Sequence, residues 1–302
     1  MINDKDIYIK VKNIFYNCMN LESIKIENVN HGVTNNSYIV YTMDNIYILR
    51  LSGKGTNEYI NRQDEIINMK IIASNLEILP PVYYSNEETG LIISKYVKNS
   101  HEFNKKDFYD QRKLSLLNET LINLHRSQVK LNNEFDIEKS IYEYQKLLQR
   151  MNCNYPQILQ ENLSILEKSF ERLKSQYGKI LVPCHNDPKM DNFLLTDKKI
   201  YLIDWEYSGM ADEYFELANF TLTNELDENE EKYFLENYIK QSKMSFIDEK
   251  YILYKIVTDY LWIFWHLIKL NQKQNIEYNG KKWKQRLNRA LKNIEYWEGK
   301  SK

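Results

Sequence analysis

The chain has 302 residues, with 41 Lys or Arg against 42 Asp or Glu, for a formal charge of −1. That length suits one large domain or two lobes, able to bury roughly three quarters of the surface of the unfolded chain without cross-links. The balanced, interleaved charge argues against nucleic acid or an anionic membrane as a partner held by bulk charge, and points to small ligands.

Ile7, Val11, Ile14, Phe15 and Met19 recur at helical spacing, and residues 23–27 read as extended. The polar stretch NHGVTNNS, residues 30–37, opens a strand–turn–strand unit (38–41 and 46–51) whose turn is Met43, Asp44 and Asn45. A loop of this kind can fold over nucleotide phosphates with backbone N–H groups and short polar side chains, or be a plain turn. Arg50 ends the second strand. Asn57 is a fair cap for a helix over 58–73, in which Glu65 lies mid-helix; on the residues alone Arg50 and Glu65 could be two solvated surface charges. Pro80 and Pro81 precede a second hairpin, 82–85 and 91–97, around NEETG. Leu114, Leu117, Leu121 and Leu124 then give one apolar helix face, with His125 filling a polar slot at its end. Residues 136–177 carry two further helical patterns, parted near 154–156.

The densest chemistry lies in LVPCHNDPKMDNFLLTDKKIYLIDWE, residues 181–206. Residues 193–195 and 200–203 read as short strands joined by the turn Thr196 to Lys199. A turn centred near Lys198 places Asn192 opposite Asp204, so two oxygen ligands converge as a hard cation such as Mg²⁺ requires. Asp187, five residues before Asn192, completes the layout of a kinase catalytic loop, in which the Asp accepts the proton of the substrate hydroxyl. His185 braces that loop.

Toward the end, DYLWIFWHLIKL puts Trp262 and Trp265 three apart on one helix face, with Asp259 one turn below. Indole faces bind a quaternary ammonium by cation–π attraction, to which Asp259 could add charge; two tryptophans in so apolar a run could equally be core.

HNDPKMDNFLL followed by LIDWEYSGMADEYFELANF resembles the choline and ethanolamine kinases, within the aminoglycoside phosphotransferase and protein-kinase-like group. The resemblance implies an α+β, bilobal protein-kinase-like fold with a small β-rich N-terminal lobe (1–97) and a larger, mostly helical C-terminal lobe (98–302). It implies ATP and Mg²⁺ as cofactors, Asp187 as the catalytic base, and Asn192 and Asp204 as the metal ligands. Thr34, Asn35, Asn36 and Ser37 then lie near the phosphates, Arg50 replaces the usual phosphate-pairing lysine with Glu65 as its partner, and Tyr96 and Val97 face adenine. Trp262, Trp265 and Asp259 look like the choline pocket, with Trp283 as a further aromatic. Glu216 stands where the family more often has Asp.

The expected activity is ATP-dependent phosphorylation of the hydroxyl of choline. Ethanolamine or aminoglycoside phosphorylation on the same fold is the alternative, and a non-catalytic nucleotide-binding protein is the alternative of another class. Cys18, Cys153 and Cys184 lack metal or redox spacing, the amino terminus lacks an apolar signal run, and the most apolar run, 260–268, is well short of the ~20 residues that span a bilayer. A cytoplasmic protein without membrane insertion is expected; the sequence leaves its oligomeric state open.

Overall fold

The computed structural model describes residues 4–23, 25–29, 35–53, 56 and 60–300. The chain divides into two compact units, one of residues 1–120 with 191–208 and the other of 121–190 with 209–302. The hairpin rich in site residues therefore groups with the first unit.

In that unit, α1 (Asp4–Met19) precedes β1 (Lys25–Val29), β2 (Asn35–Tyr41), β3 (Ile46–Ser52), α2 (Arg62–Asn75), β4 (Val82–Asn86) and β5 (Leu91–Lys95). The strands form one antiparallel sheet in the order β1-β2-β3-β5-β4. Successive side chains on a strand point to opposite faces. Tyr38, Val40, Tyr47, Leu49 and Ile93 therefore meet Val11 and Phe15 of α1 in one core. The α2 helix begins later than its apolar pattern suggests, because the Asn61 side chain accepts the Gln63 and Asp64 N–H groups and caps it there. Asn57 lies outside the described residues.

A second, three-stranded sheet of β6 (His101–Glu102), β8 (Phe193–Leu195) and β9 (Ile200–Leu202) completes this unit. It is tied to the segment before β4 by the Leu202 N–H, which donates to Ile78 O at 2.7 Å. After α3 (Lys105–Phe108), the division between units falls inside α4 (Gln111–His125).

The second unit is mostly helical. It contains α5 (Ile137–Arg150), α6 (Gln157–Glu161), α7 (Leu163–Arg172), β7 (Val182–Cys184), β10 (Gly209–Ala211), α8 (Glu213–Thr223), α9 (Glu228–Ser242), α10 (Asp248–Asn271) and α11 (Ile276–Lys300). Its axis is α10, apolar almost all round and buried through Ile252, Leu253, Ile256, Val257, Tyr260, Leu261, Ile263 and Phe264. A helix of that kind must be covered on every side, and α5, α7, α8 and α11 cover it. No helix among the described residues is long and apolar enough to cross a membrane.

Candidate active site

The face of the five-stranded sheet opposite α1 lines a cavity of about 470 Å³. The same alternation that buries Tyr38 and Val40 turns Asn35, Ser37 and Ile39 toward this cavity, beside Ile48 and Arg50 of β3 and Ile92 and Ser94 of β5. Tyr96 and Val97 also line it, as do Asn192 and Asp204. Asn36 does not: lying between two cavity-facing residues, it projects to the other face and is exposed, which removes its side chain from the expected phosphate set. Thr34 lies outside the described residues.

A buried charge cluster stands at one end of the cavity. Arg50 pairs through Nη2 with Glu65 and through Nη1 with Asp204 Oδ1, the latter at 2.7 Å. The Arg62 guanidinium, 4% exposed, donates to Glu65 Oε2 (2.8 Å), Glu206 Oε2 (3.2 Å), Asn35 Oδ1 (3.1 Å) and Thr56 Oγ1 (2.9 Å). The Asn35 amide donates to Glu206 Oε2 at 2.8 Å and Asp204 Oδ1 at 3.2 Å. Arg62 and Glu65 are thus ion partners, and Asn35 and Glu206 enter the cluster as its hydrogen-bonded members. Burial opposes the charge of Arg50, but the carboxylates of Glu65, Asp204 and Glu206 outweigh it and raise its pKa. The Glu206 carboxyl is pushed up to about 7, by burial first and then by the Asp204 charge.

Three carboxylates against two guanidiniums leave the cluster one negative charge in excess when all are ionised. The Arg50 and Asn35 bonds to Asp204 both fall on Oδ1. Asn192 and Asp204 both line the cavity, and an amide with a carboxylate is a ligand pair that can offer only oxygen, which suits Mg²⁺.

The hairpin brings these two residues together by a different route from the expected one. Phe193 pairs with Leu202 and Leu195 with Ile200, so Asn192 falls opposite Ile203, whose N–H donates to Asn192 O at 2.9 Å. The four-residue turn has its centre between Asp197 and Lys198, which shifts the register by one. A one-residue shift would send Asp204 to the wrong face. Its backbone leaves the strand in the left-handed region, φ 65°, and the side chain still reaches the cavity. Left-handed backbone at a non-glycine residue costs energy, and such positions gather at functional sites.

In the second unit the segment around Asp187, the expected base, is clamped from α8 and its C-cap. His185 is fully buried and its Nδ1 accepts the Asp187 N–H at 3.3 Å, which is the bracing role expected of it. Asn186, at φ 65°, donates its N–H to Glu216 Oε1 (2.6 Å), while its carbonyl accepts from Asn219 Nδ2 (2.8 Å). Asn224 takes the Met190 N–H at 2.8 Å and donates to Pro188 O at 3.0 Å. Asp187 itself is 1% exposed, and its Oδ2 pairs with Lys189 Nζ at 2.9 Å.

Behind the loop, Glu216 Oε2 lies 2.5 Å from His125 Nε2, and His125 Nδ1 lies 2.6 Å from the Tyr238 hydroxyl. Burial would raise the Glu216 pKa, but the His125 bond, the nearby His185 and the Asn186 N–H hold it below the usual carboxylate range. Cys184 completes a buried His–Cys–Glu triplet with donor atoms within 4.8 Å of one another. This is a hydrogen-bonded group and not a metal centre: two ligands each ~2 Å from a tetrahedral ion stand roughly 3 Å or more apart, and burial drives the Cys184 thiol well above its ordinary pKa.

On α10, Trp262 and Trp265 meet edge to face, with ring centroids 6.0 Å apart and planes at 79°. Trp262 is 5% exposed and donates its indole N–H to Asn219 Oδ1 at 2.8 Å. Trp265 is half-buried, with Lys269 Nζ 5.1 Å from its ring centroid, so its π-face already attracts a cation. Asp259 departs from expectation. It is fully buried and bound by Arg286 Nη1 (3.1 Å), Arg289 Nε (2.9 Å) and Arg289 Nη2 (2.6 Å), so its charge locks α11 to α10 and is not left over for a ligand. Trp283 is half-buried on α11, with Lys284 Nζ 5.7 Å from its ring. Glu225 is held by Lys282.

Comparison with known proteins agrees with this arrangement. A family profile described as choline/ethanolamine kinase matches residues 26–290. The protein LicA of Haemophilus influenzae is 26% identical over 272 residues, which cover 87% of this chain and 78% of that one. The crystal structure of choline kinase LicA from Streptococcus pneumoniae superposes with a TM-score of 0.79 at 28% identity, covering 96% of this chain and 99% of that one. A structure of LicA in complex with AMP gives 0.76 at 27% identity, covering 96% and 98%. The chain therefore belongs to the choline/ethanolamine kinase family, and is an ATP-dependent phosphotransferase acting on a small amino alcohol.

Proposed function

We propose that this enzyme transfers the γ-phosphate of ATP to the hydroxyl of choline. The observation that carries the choice of acceptor is the edge-to-face pair Trp262–Trp265, together with the ion pairing of Asp259 with Arg286 and Arg289 and of Glu225 with Lys282. A trimethylammonium group needs aromatic and apolar walls and accepts no hydrogen-bond partner. The primary ammonium of ethanolamine needs acceptors, and an aminoglycoside needs many carboxylates. Trp283 supplies a further wall, since α11 packs along α10.

Asp187 accepts the hydroxyl proton, and the clamp from Glu216, Asn219 and Asn224 fixes where that carboxylate stands. The nucleotide occupies the cavity of the first unit, with its base against the apolar sheet face near Tyr96 and Val97. Its phosphates lie toward Asn35, Ser37 and Arg50, the last held by Glu65. Asn192 and Asp204 hold Mg²⁺, which when bound supplies charge stabilisation to the phosphates. Most of the remaining rate enhancement comes from positioning. A cytoplasmic location, where ATP is supplied, belongs to the same proposal. Replacing Trp265 by Ala removes a cation–π wall worth about 1–2 kcal/mol, so the choline KM should rise on the order of tenfold while the ATP KM stays put. A folded Trp265→Ala enzyme with the wild-type choline KM would refute the aromatic pocket.

A further inference from the structure

The amide of Asn219 is fully buried, and its two ends serve two different parts of the second unit. Its Oδ1 accepts the Trp262 indole N–H and the Thr223 hydroxyl, each at 2.8 Å, while its Nδ2 donates to the carbonyl of Asn186 at 2.8 Å. The orientation of the amide is fixed by its partners. An indole N–H can only donate and a backbone carbonyl can only accept, so a flipped amide would oppose donor to donor at one end and acceptor to acceptor at the other.

The carbonyl it holds belongs to the peptide that joins Asn186 to Asp187. That peptide follows a residue in the left-handed region, φ 65°, whose N–H is fixed by Glu216. With the preceding N–H and the following carbonyl both anchored on α8, the plane from which the Asp187 side chain departs has little freedom to rotate. A planar side chain linking Trp262 to this peptide transmits a shift of the indole to the backbone of the catalytic loop.

We propose that Asn219 is a positioning residue that couples occupancy of the acceptor pocket to the placement of Asp187, through the run Trp262 – Asn219 – Asn186 carbonyl. This rests on the reading of Trp262 as an acceptor wall and of Asp187 as the base, and deepens it: the wall that recognises the acceptor also sets the geometry of the loop that deprotonates it. A buried hydrogen bond lost with one partner left unsatisfied is worth enough to slow turnover by about ten- to a hundredfold when it bears on the transition state.

The test is a double-mutant cycle of Asn219→Ala and Trp262→Phe, with kcat and KM measured for each amino alcohol the wild type phosphorylates and folding followed by thermal unfolding. Trp262→Phe keeps a smaller aromatic wall and removes the indole N–H. It should lower kcat a few-fold beyond any rise in acceptor KM, because Thr223 still serves Oδ1. Asn219→Ala should lower kcat roughly ten- to a hundredfold with the ATP KM unchanged, and the double variant should be no slower than Asn219→Ala alone. Kinetic effects that multiply across the cycle, or a Trp262→Phe enzyme altered in acceptor KM alone, would overturn the coupling while leaving the functional reading standing. If Asn219→Ala does not fold, the kcat of Trp262→Phe decides by itself. A wild-type enzyme that phosphorylates neither choline nor ethanolamine overturns the coupling together with the reading it rests on.

Discussion

Removing Arg62 should unsettle the first unit more than removing any exposed charge. Its guanidinium is 4% exposed and bonds Glu65, Glu206, Asn35 and Thr56 at 2.8 to 3.2 Å. In Arg62→Ala, Arg50 alone faces the carboxylates of Glu65, Asp204 and Glu206, of which Glu65 is 1% and Glu206 7% exposed. Breaking a buried ion pair by deleting one partner costs about 3–5 kcal/mol, because the remaining charge stays out of water. At about 2–4 °C per kcal/mol for a chain of this class, Tm should fall by roughly 6 to 20 °C in a calorimetric or fluorescence scan. Adding Glu206→Gln to Arg62→Ala removes one of the two negative charges then in excess and should restore part of the loss. Arg62→Lys should restore little, since a single ammonium cannot replace a fork that reaches four oxygens. A Tm within about 2 °C of wild type for Arg62→Ala, with no response to Glu206→Gln, would refute the claim that this cluster is held together by its charges.

Two further outcomes test other parts of the account. Asp187→Asn, which keeps the shape of the base but not its proton affinity, should lower kcat by ~10²- to 10⁴-fold while ATP binding, followed by titration calorimetry, persists; turnover near wild type would remove Asp187 from the role of base. His266 is 4% exposed and its Nδ1–H donates to Asn279 Oδ1 at 2.7 Å, an oxygen oriented by the Asn279 amide donating to Gln274 O and Asn275 O. Burial lowers its pKa to about 3, with Arg286, Lys282 and Lys189 adding to the effect and the Asn279 bond opposing it. The unfolded chain takes up this proton near pH 6.5 and the folded one does not, so stability falls as pH drops below about 6.5, by ~1.4 kcal/mol per unit, or about 2 kcal/mol at pH 5. Urea unfolding at pH 7 and pH 5 should show His266→Gln losing less than wild type between the two; equal losses would exclude His266 as the source.

What the sequence disclosed was local. Strand alternation in YIVY and YILRL, the helix spacing around Leu114 to Leu124 and the apolar run of α10 are short-range patterns, and each became the expected element, although the first of these strands begins three residues earlier, at Asn35. The hairpin of Asn192 and Asp204 was legible as a hairpin with a four-residue turn, but the centre of that turn falls between Asp197 and Lys198, and the left-handed backbone of Asp204 is not revealed by residue spacing. Long-range partners were beyond reach. Asp259 finds Arg286 and Arg289 a helix later, and Glu206 meets Asn35 and Arg62 across more than a hundred residues. Asn219 and Asn224 passed unnoticed, although Asn219 is a polar position in the middle of the largely apolar run LANFTL and Asn224 caps the same helix. Polar side chains sheltered on such a helix must find partners, and these found the backbone on either side of Asp187, at Asn186 and Met190.

The central claim, a choline kinase whose acceptor is held by aromatic walls, is tested most directly by steady-state phosphoryl transfer from Mg²⁺–ATP to choline and to ethanolamine, with the phosphorylated product identified by phosphorus NMR. The account predicts phosphocholine as product and a kcat/KM for choline that exceeds that for ethanolamine by on the order of tenfold or more, the worth of one cation–π and apolar contact. A kcat/KM that favours ethanolamine, or ATP turnover without phosphocholine, would contradict it.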